Sequence, residues 1–253
     1  MRVAVLEVNG DKGWFALEGD RARRFDRSPF EDGRLGSLEI AWSSADLRVP
    51  VKPTKIVCVG RNYAAHAKEL GNEVPKEPLL FLKPPSSIIG PGEAVVIPKE
   101  STRVEHEAEL GVVIARRVRR ISREQALSAV FGYTAVCDVT ARDIQRKDVQ
   151  FTRAKGYDTF CPVGPWIETE LDPADLAITC TVDGAPRQSG RTSQMTFDVP
   201  TLLAYISNVM TLEPGDLVVT GTPEGVGPLA PGNKLAVTIE GIGELSVGVI
   251  GST

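Results

Sequence analysis

The chain has 253 residues, and its 29 Lys and Arg residues against 33 Asp and Glu residues give a formal net charge of −4. A chain of this length can bury a sizeable core, either as one large domain or as a main domain with a small appendage. The charge balance excludes the basic excess typical of nucleic-acid-binding proteins, and no apolar run approaches the roughly 20 residues that a membrane helix needs.

The N-terminal segment predicts a small β-unit ahead of the main body. Residues 1–8 alternate apolar and polar side chains, Asn9-Gly10-Asp11 is a strong turn signal, and residues 13–17 resume a strand pattern. A polar, arginine-rich stretch follows, and prolines then interrupt residues 47–55. We therefore predict a small N-terminal β-domain over residues 1–52 and a main domain over residues 53–253.

Neither the first residues nor the cysteines indicate export. The N-terminus lacks the apolar core of a signal peptide, so we expect a cytoplasmic protein that binds neither a membrane nor nucleic acid. The cysteines are scattered without the spacing of a zinc site, and we expect reduced, mostly buried thiols. They are Cys58, Cys137, Cys161 and Cys180.

A short helix is predicted after the first buried-type strand of the main domain. Asn62 would cap a helix over residues 63–70, and Gly71 would end it. His66 and Glu69 are three residues apart on this helix and therefore share one face. A carboxylate beside an imidazole raises its pKa and fixes its orientation, as a general base requires. The alternative is an exposed helix with an incidental ion pair.

Residues 103–118, RVEHEAELGVVIARRV, carry the densest set of acidic side chains. In a β-strand, Glu105, Glu107 and Glu109 lie on one face, with neighbours roughly 6.5–7 Å apart along the backbone. Two carboxylates so placed can converge on one divalent cation. The alternative is an exposed edge strand whose acidic face prevents pairing with other chains.

Another carboxylate, Asp138, lies inside the apolar strand predicted over residues 133–139. Burying a bare charge is costly, so this side chain needs a partner. Either Arg142 neutralises it or a metal ion does.

Two helices are predicted in the second half of the chain. Ser122 and Gln125 form a capping box for a helix over residues 123–131, which Gly132 would end. A longer helix over residues 198–210 is capped by Asp198, with proline just inside its start.

Two lysines are candidates for binding an anion. Lys83 ends the strand predicted over residues 79–82, where a rigid proline turn would hold it in place. Lys155 lies in residues 151–164, which have too few apolar positions for regular structure, so we predict a loop that presents its charge. The alternative for Lys155 is a solvated surface lysine.

The glycine-rich stretch GTPEGVGP at residues 221–228 is similar at first sight to a phosphate-binding loop. It lacks the G-K-[ST] ending and no helix follows it, which excludes a nucleotide-binding loop of that type. Such a turn, with Thr222 at its head, can still offer backbone N–H groups and a hydroxyl to a carboxylate.

Five motifs in order resemble the fumarylacetoacetate hydrolase family: N-Y-A-A-H-A-K-E, H-E-A-E-L-G, C-D-V-T-A-R-D-I-Q, A-K-G-Y-D-T-F-C-P-V-G-P and V-V-T-G-T-P-E-G-V-G-P. The similarity is to the shorter branch, which includes acylpyruvases, oxaloacetate decarboxylases and 2-hydroxyhepta-2,4-diene-1,7-dioate isomerases. It covers the chain from about residue 55 to the C-terminus, whereas the N-terminal unit matches only loosely.

The resemblance implies a role for each candidate residue. Glu107, Glu109 and Asp138 match the metal ligands, whereas Glu105 falls where relatives vary and is expected to be a replaceable neighbour. Three oxygen ligands suit a hard cation, Mg²⁺ first, with Mn²⁺ or Ca²⁺ possible. The remaining matches are the catalytic positions His66, Glu69 and Lys155 and the substrate-facing positions Lys83, Arg142, Gln145 and Thr222.

The fold implied is α+β and β-rich: the mixed β-sandwich roll of the family, with few short helices, a small N-terminal β-unit and the catalytic domain from residue 53. The strand-like runs agree, because they do not alternate regularly with helices. They lie at residues 56–59, 79–82, 94–98, 108–115, 133–139, 176–182, 217–220, 234–240 and 244–249.

The activity implied is that of a divalent-metal-dependent enzyme acting on 2-oxo (enol) dicarboxylic or acylpyruvate-type acids. It would cleave a C–C bond, by hydrolysis or decarboxylation, through an enolate held by the cation. One alternative is a 2-hydroxyhepta-2,4-diene-1,7-dioate isomerase of aromatic-compound catabolism. Others are a non-catalytic protein that binds metal and oxo acids, and a structural β-protein. The family also implies a homodimer.

Overall fold

The computed structural model describes residues 1–252, and strands dominate this part of the chain. The strands are β1 (Arg2–Val8), β2 (Asp11–Glu18), β3 (Arg21–Phe25), β4 (Leu35–Ala41), β5 (Leu47–Arg48), β6 (Ile56–Gly60), β7 (Leu79–Lys83), β8 (Ile88–Ile89), β9 (Ala94–Ile97), β10 (Val104–His106), β11 (Ala108–Ile114), β12 (Val130–Cys137), β13 (Thr140–Ala141), β14 (Cys161–Glu168), β15 (Ala177–Val182), β16 (Ala185–Arg191), β17 (Leu217–Val219), β18 (Gly227–Pro228), β19 (Lys234–Ile239) and β20 (Gly243–Gly251). The helices are α1 (Ala64–Glu69), α2 (Arg142–Lys147), α3 (Thr152–Lys155) and α4 (Val199–Val209). Short 3₁₀ segments lie at Pro29–Glu31, Ser44–Asp46, Pro85–Ser87, Arg123–Ala129 and Thr192–Gln194.

Three sheets hold the strands. The main sheet has the order β4-β3-β2-β1-β14-β12-β11-β17-β6-β7, with β5 beside β1 and β8 beside β14. A second sheet has the order β16-β15-β19-β20-β9, and a small third sheet has the order β13-β10-β18. The second sheet packs on the central strands of the main sheet. The predicted β-rich α+β fold with few short helices is confirmed.

The central strand β11 is buried on both faces. Leu110 and Val112 belong to the large core that also holds side chains of the second sheet. Val113 points the other way, into a smaller core with Val136 and Val219. Because successive strand residues face opposite sides, a strand between two cores needs a continuous apolar run, and this one has it after Glu109.

The predicted N-terminal hairpin is confirmed. Asn9 and Gly10 both have positive φ angles, 53° and 80°, as a tight hairpin turn requires, and they join β1 to β2. Strands β3 and β4 extend the hairpin and arise from a stretch whose sequence gave no strand signal. Since β1 also pairs with β14, the N-terminal unit shares the main sheet. The domain boundary at residue 52 stays a prediction.

The predicted helix cap at Asn62 is wrong. Helix α1 begins after Tyr63, whose side chain makes no capping bond. The Asn62 side chain is buried and donates instead to the carbonyls of Phe197 and Thr220, at 3.0 and 2.8 Å. Its short amide is therefore used to join distant segments of the chain beside the site.

Other local predictions also need correction. The segment after Ser122 is a 3₁₀ segment without a side-chain cap, and Gly132 lies inside β12. The predicted loop over residues 151–164 contains α3 and the start of β14. By contrast, α4 is confirmed, because Asp198 accepts a hydrogen bond from the Thr201 N–H. Within residues 1–252, no helix is both long and apolar enough to cross a membrane.

Candidate metal centre and active site

The strand predicted over residues 103–118 is interrupted at Glu107. Strand β10 ends just before it, in the small sheet, and β11 starts just after it, in the main sheet. The Asp138 N–H donates to the Glu107 carbonyl at 2.8 Å, so the residue that follows β12 lies against the interruption. The acidic side chains therefore meet where the two sheets join.

Three buried carboxylates form the centre of the site. One oxygen each of Glu107, Glu109 and Asp138 lies within 4.8 Å of the others, and each residue is at most 4% exposed. Carboxylate oxygens at this separation can bind one hard divalent cation between them. The structure thus brings together the three side chains that the sequence proposes as ligands.

Two of these carboxylates are neutralised by cationic side chains. Lys155 Nζ donates to Glu107 Oε2 at 2.7 Å and to Asp138 Oδ2 at 2.6 Å. Lys83 Nζ donates to Asp138 Oδ1 at 2.7 Å, and Arg142 donates to Glu107 Oε1. Burial disfavours the Glu107 anion, but the Lys155 and Arg142 charges outweigh burial and hold the pKa of Glu107 well below its usual range.

Glu109 lacks such a partner. No Lys, Arg or His nitrogen of the described residues lies within salt-bridge distance of its carboxylate, which accepts a hydrogen bond from the Gly221 N–H. Burial, and then the negative charges of Asp138 and Glu107, raise the pKa of Glu109. A divalent cation would compensate this buried acid, so the donor set fits the metal that the resemblance implies.

Glu105 and Arg142 pair with each other. Arg142 Nε donates to Glu105 Oε2 at 2.7 Å, and its other nitrogens reach Glu107 and Gln145. Glu105 is therefore buried but lies outside the three-carboxylate cluster. The alternative in which Arg142 neutralises Asp138 is wrong, because Lys83 and Lys155 neutralise it instead.

The predicted loop around Lys155 is a short helix, and its lysine is 2% exposed. Burial disfavours the Lys155 ammonium, but Asp138 and Glu107 outweigh burial and raise its pKa. The alternative of a solvated surface lysine is therefore wrong. Lys83 is also buried, with its ammonium held by Asp138 and the Val139 carbonyl.

His66 and Glu69 meet as their helical spacing predicts. His66 Nδ1 lies 3.4 Å from Glu69 Oε2, and the Gly225 N–H donates to Glu69 Oε1 at 3.1 Å. The carboxylate thus connects the helix to the glycine-rich stretch. His66 is only 5% exposed, and Nε2 is the ring nitrogen that Glu69 does not engage.

These groups open onto a cavity of about 220 Å³. Sequence-predicted residues that line it are His66, Glu107, Glu109, Asp138, Arg142, Gln145, Lys155 and Thr222. Lys83 and Glu69 do not line the cavity, and their roles at the substrate stay predictions. Lys83 would act through Asp138, and Glu69 through His66. Lining residues that sequence reasoning missed are Val59, Gly60, Arg61, Leu70, Phe81, Arg146 and Phe151, and Asn72 also lines the cavity.

Gln188 is a further missed residue, buried behind Thr222. Its Oε1 accepts from the Ala108 N–H and from His106 Nδ1, both at 3.0 Å, and its Nε2 donates to Thr222 Oγ1 at 2.7 Å. Because its amide is fully bonded, Gln188 connects Ala108, which lies between Glu107 and Glu109, to the glycine-rich stretch. No local signal marks it, since it lies in a polar segment that was not expected to form a strand.

Comparison with known proteins gives a consistent set of relatives. The family model described as fumarylacetoacetate (FAA) hydrolase, C-terminal, matches residues 55–250. The mitochondrial oxaloacetate decarboxylase of Dictyostelium discoideum is 50% identical over 195 residues, 74% of this chain and 89% of that protein. A mitochondrial oxaloacetate tautomerase of Arabidopsis thaliana is 46% identical over 202 residues, 78% of this chain and 91% of that protein.

The similarity extends to solved structures. The crystal structure of 2-hydroxyhepta-2,4-diene-1,7-dioate isomerase from Mycobacterium marinum is 42% identical, with a TM-score of 0.91. The match covers 100% of this chain and 99% of that one, so the N-terminal unit is included.

Proposed function

This chain belongs to the fumarylacetoacetate hydrolase family of enzymes, and from that premise we propose that it is a Mg²⁺-dependent enzyme acting on 2-oxo (enol) dicarboxylic or acylpyruvate-type acids. The observation that carries the proposal is the buried cluster of Glu107, Glu109 and Asp138, in which Glu109 has no cationic partner among residues 1–252. Mn²⁺ or Ca²⁺ could replace Mg²⁺ at such a site.

The three carboxylates would hold the cation at the bottom of the cavity. When bound, the cation supplies Lewis-acid chemistry to the carboxylate and the neighbouring oxo oxygen of the substrate. Gln145 and Arg142 line the cavity beside the cluster and would donate hydrogen bonds to the substrate. Lys155, fixed between Glu107 and Asp138, would add positive charge where negative charge develops during bond cleavage.

His66 would be the general base. Glu69 fixes the imidazole through Nδ1, so that Nε2 can take a proton from a water molecule or from the substrate. Transfer from water would give hydrolysis of an acylpyruvate, whereas loss of CO₂ from a 2-oxo diacid needs no attacking water. Thr222 would help to hold a substrate carboxylate at the glycine-rich stretch.

An isomerase or tautomerase is the second candidate. It is favoured by the match to an isomerase structure over the entire chain, N-terminal unit included. In that reaction His66 would only move a proton between carbon and oxygen, and no C–C bond would break.

A substrate screen with Mg²⁺ tests the proposal. We expect turnover of at least one of acetylpyruvate, oxaloacetate, fumarylpyruvate and a 2-hydroxy-dienedioate, with loss of activity on chelation and in Asp138→Ala. His66→Ala should impair hydrolysis more than decarboxylation. Wild-type turnover that survives full chelation would overturn the metal-dependent mechanism, and equal rates in His66→Ala and wild type would exclude the base.

A further inference from the structure

Two arginines on the cavity wall have no anionic partner. Arg61 and Arg146 both line the cavity, yet no carboxylate oxygen of the described chain lies within 4.0 Å of either guanidinium. Arg142 and Lys155, in contrast, are buried and bonded to carboxylates. The cavity therefore combines inner cationic groups that carboxylates compensate with an outer pair of uncompensated positive charges.

Arg61 also has an unfavourable backbone conformation. Its φ angle is 57°, in the left-handed region that arginine rarely adopts and that glycine or asparagine tolerates better. The neighbouring Asn62 is fixed by bonds to Phe197 and Thr220, which hold the backbone in place. Of the described non-glycine residues with positive φ, Arg61 is the one that lines the cavity, and backbone strain often occurs at functional sites.

We propose that Arg61, together with Arg146, binds a second carboxylate of the substrate and so selects 2-oxo diacids over 2-oxo monoacids. The proposal rests on the function proposed above, in which the first carboxylate lies at the metal centre. Neither arginine reaches Glu107, Glu109 or Asp138, so both remain free for a group at the other end of the substrate. A guanidinium is suited to this task because it binds a carboxylate through two parallel hydrogen bonds.

The test compares acids that differ only in the distal carboxylate. Malate is paired with 2-hydroxybutanoate, and 2-oxopentanedioate with 2-oxopentanoate; binding to the Mg²⁺-loaded protein is measured by calorimetry. In the wild type we expect the diacid of at least one pair to bind about tenfold or more tightly, the range for hydrogen bonds between charged groups. In Arg61→Asn the preference should fall to within about twofold, whereas oxalate, which has no distal carboxylate, should bind as in wild type.

Asparagine is chosen because it tolerates the left-handed conformation, so Arg61→Asn should keep or raise the melting temperature. Arg146→Gln replaces an exposed side chain and is an independent test, because it should also reduce the preference for the diacid. Arg116→Gln is the matched control, because the Arg116 guanidinium bonds to Ser128 and does not line the cavity. It should leave the preference unchanged.

The outcomes separate the two proposals. If oxalate binds but the wild type prefers neither diacid, or if both arginine variants keep the wild-type preference, the selectivity proposal is overturned and the proposed function stands. If neither oxalate nor any of the four acids binds in the presence of Mg²⁺, the proposed function itself fails.

Discussion

Among the single residues of the site, the acids differ mainly in what compensates their charge. Glu107 and Asp138 accept hydrogen bonds from lysine or arginine, Glu105 from Arg142, and Glu109 from a backbone N–H. Gly221 supplies that N–H from a positive φ of 98°, and a Cβ there would lie 2.7 Å from that of Asn62. Glycine is therefore required for this contact.

Replacing Glu109 should weaken metal binding far more than replacing Glu105. Glu109→Gln removes a ligand charge from the cluster, and we expect Mg²⁺ affinity to fall by at least about tenfold, the equivalent of roughly 1.4 kcal/mol. Glu105→Gln leaves the three ligands in place and should change the affinity by less than about threefold, even if it lowers stability through Arg142. Calorimetric titration of both variants with Mg²⁺ measures this, and equal losses would contradict the assignment.

Asp143 should stabilise the protein in a pH-dependent way. It accepts hydrogen bonds from Ser101 Oγ at 2.6 Å and Thr102 N–H at 3.0 Å. Burial is the largest single influence and raises the pKa, but the hydrogen bonds together outweigh it and lower the pKa of Asp143 to about 2. A lowered pKa means that the stabilisation is complete above the unfolded value of about 3.9 and is lost as the pH falls towards 2.

Asp143→Asn should therefore cost about 1 kcal/mol of unfolding free energy at pH 6 and almost nothing near pH 2. Urea denaturation of wild type and variant across this range is the measurement. A difference that stays constant with pH would show that the carboxylate charge is not the cause.

At the level of secondary structure, the sequence predicted the strands and helices that short local motifs specify. The first hairpin follows from Asn9-Gly10, and α4 follows from the Asp198 cap. Strand β14 was missed because Pro162 and Pro165 interrupt its pattern, although it lies in the middle of the main sheet.

The candidate site follows the same rule. The family motifs marked all three carboxylates, but no local pattern shows that Lys83 and Lys155 share Asp138, or that Gln188 supports Thr222. Those contacts join residues from 17 to 55 positions apart. These contacts depend on the order of the strands in the sheets, which cannot be predicted from local sequence patterns.

The buried carboxylate of Asp216 joins the segments that lead into β6 and β17, and its removal should lower the stability of the protein. Asp216, 0% exposed, accepts from the backbone N–H groups of Thr54 at 2.9 Å and Glu213 at 2.8 Å, and pairs with Lys55. It thus fixes the approach to both β6 and β17. We expect Asp216→Ala to lower the unfolding free energy by about 3–5 kcal/mol, because the Lys55 ammonium and several partly buried donors lose their acceptor.

Thermal and urea denaturation check this prediction. Asp175→Ala is the matched control, since Asp175 is an exposed acid that pairs with Arg191, and it should leave the melting temperature nearly unchanged. A similar small effect for Asp216→Ala would contradict the argument.

On the scale of the whole molecule, the main sheet runs from the N-terminal hairpins to the strands of the site. The two parts meet where β1 pairs with β14, at Arg2 with Glu168 and Val3 with Ile167. No residue from 1 to 52 lines the cavity. The N-terminal unit therefore covers a sheet edge without entering the site.

Removing residues 1–52 should leave Mg²⁺ and oxalate binding within about threefold of the full chain, while the protein becomes prone to aggregate. The reason is that the Ile167 end of β14 becomes an open strand edge, which can pair with other chains. Calorimetry and light scattering measure the two effects. A truncated protein that stays monodisperse but loses ligand binding would reverse both expectations.

The parallel pairing of β6 with β17 has a consequence for the order of events during synthesis. Ile56 is paired with Leu217, so about 160 residues must leave the ribosome between one strand and its partner. Closing so long a loop is entropically costly and slow, and the bond between Glu69 and the Gly225 N–H spans a similar separation of 156 residues. A nascent chain would therefore be almost complete before its catalytic centre exists at all.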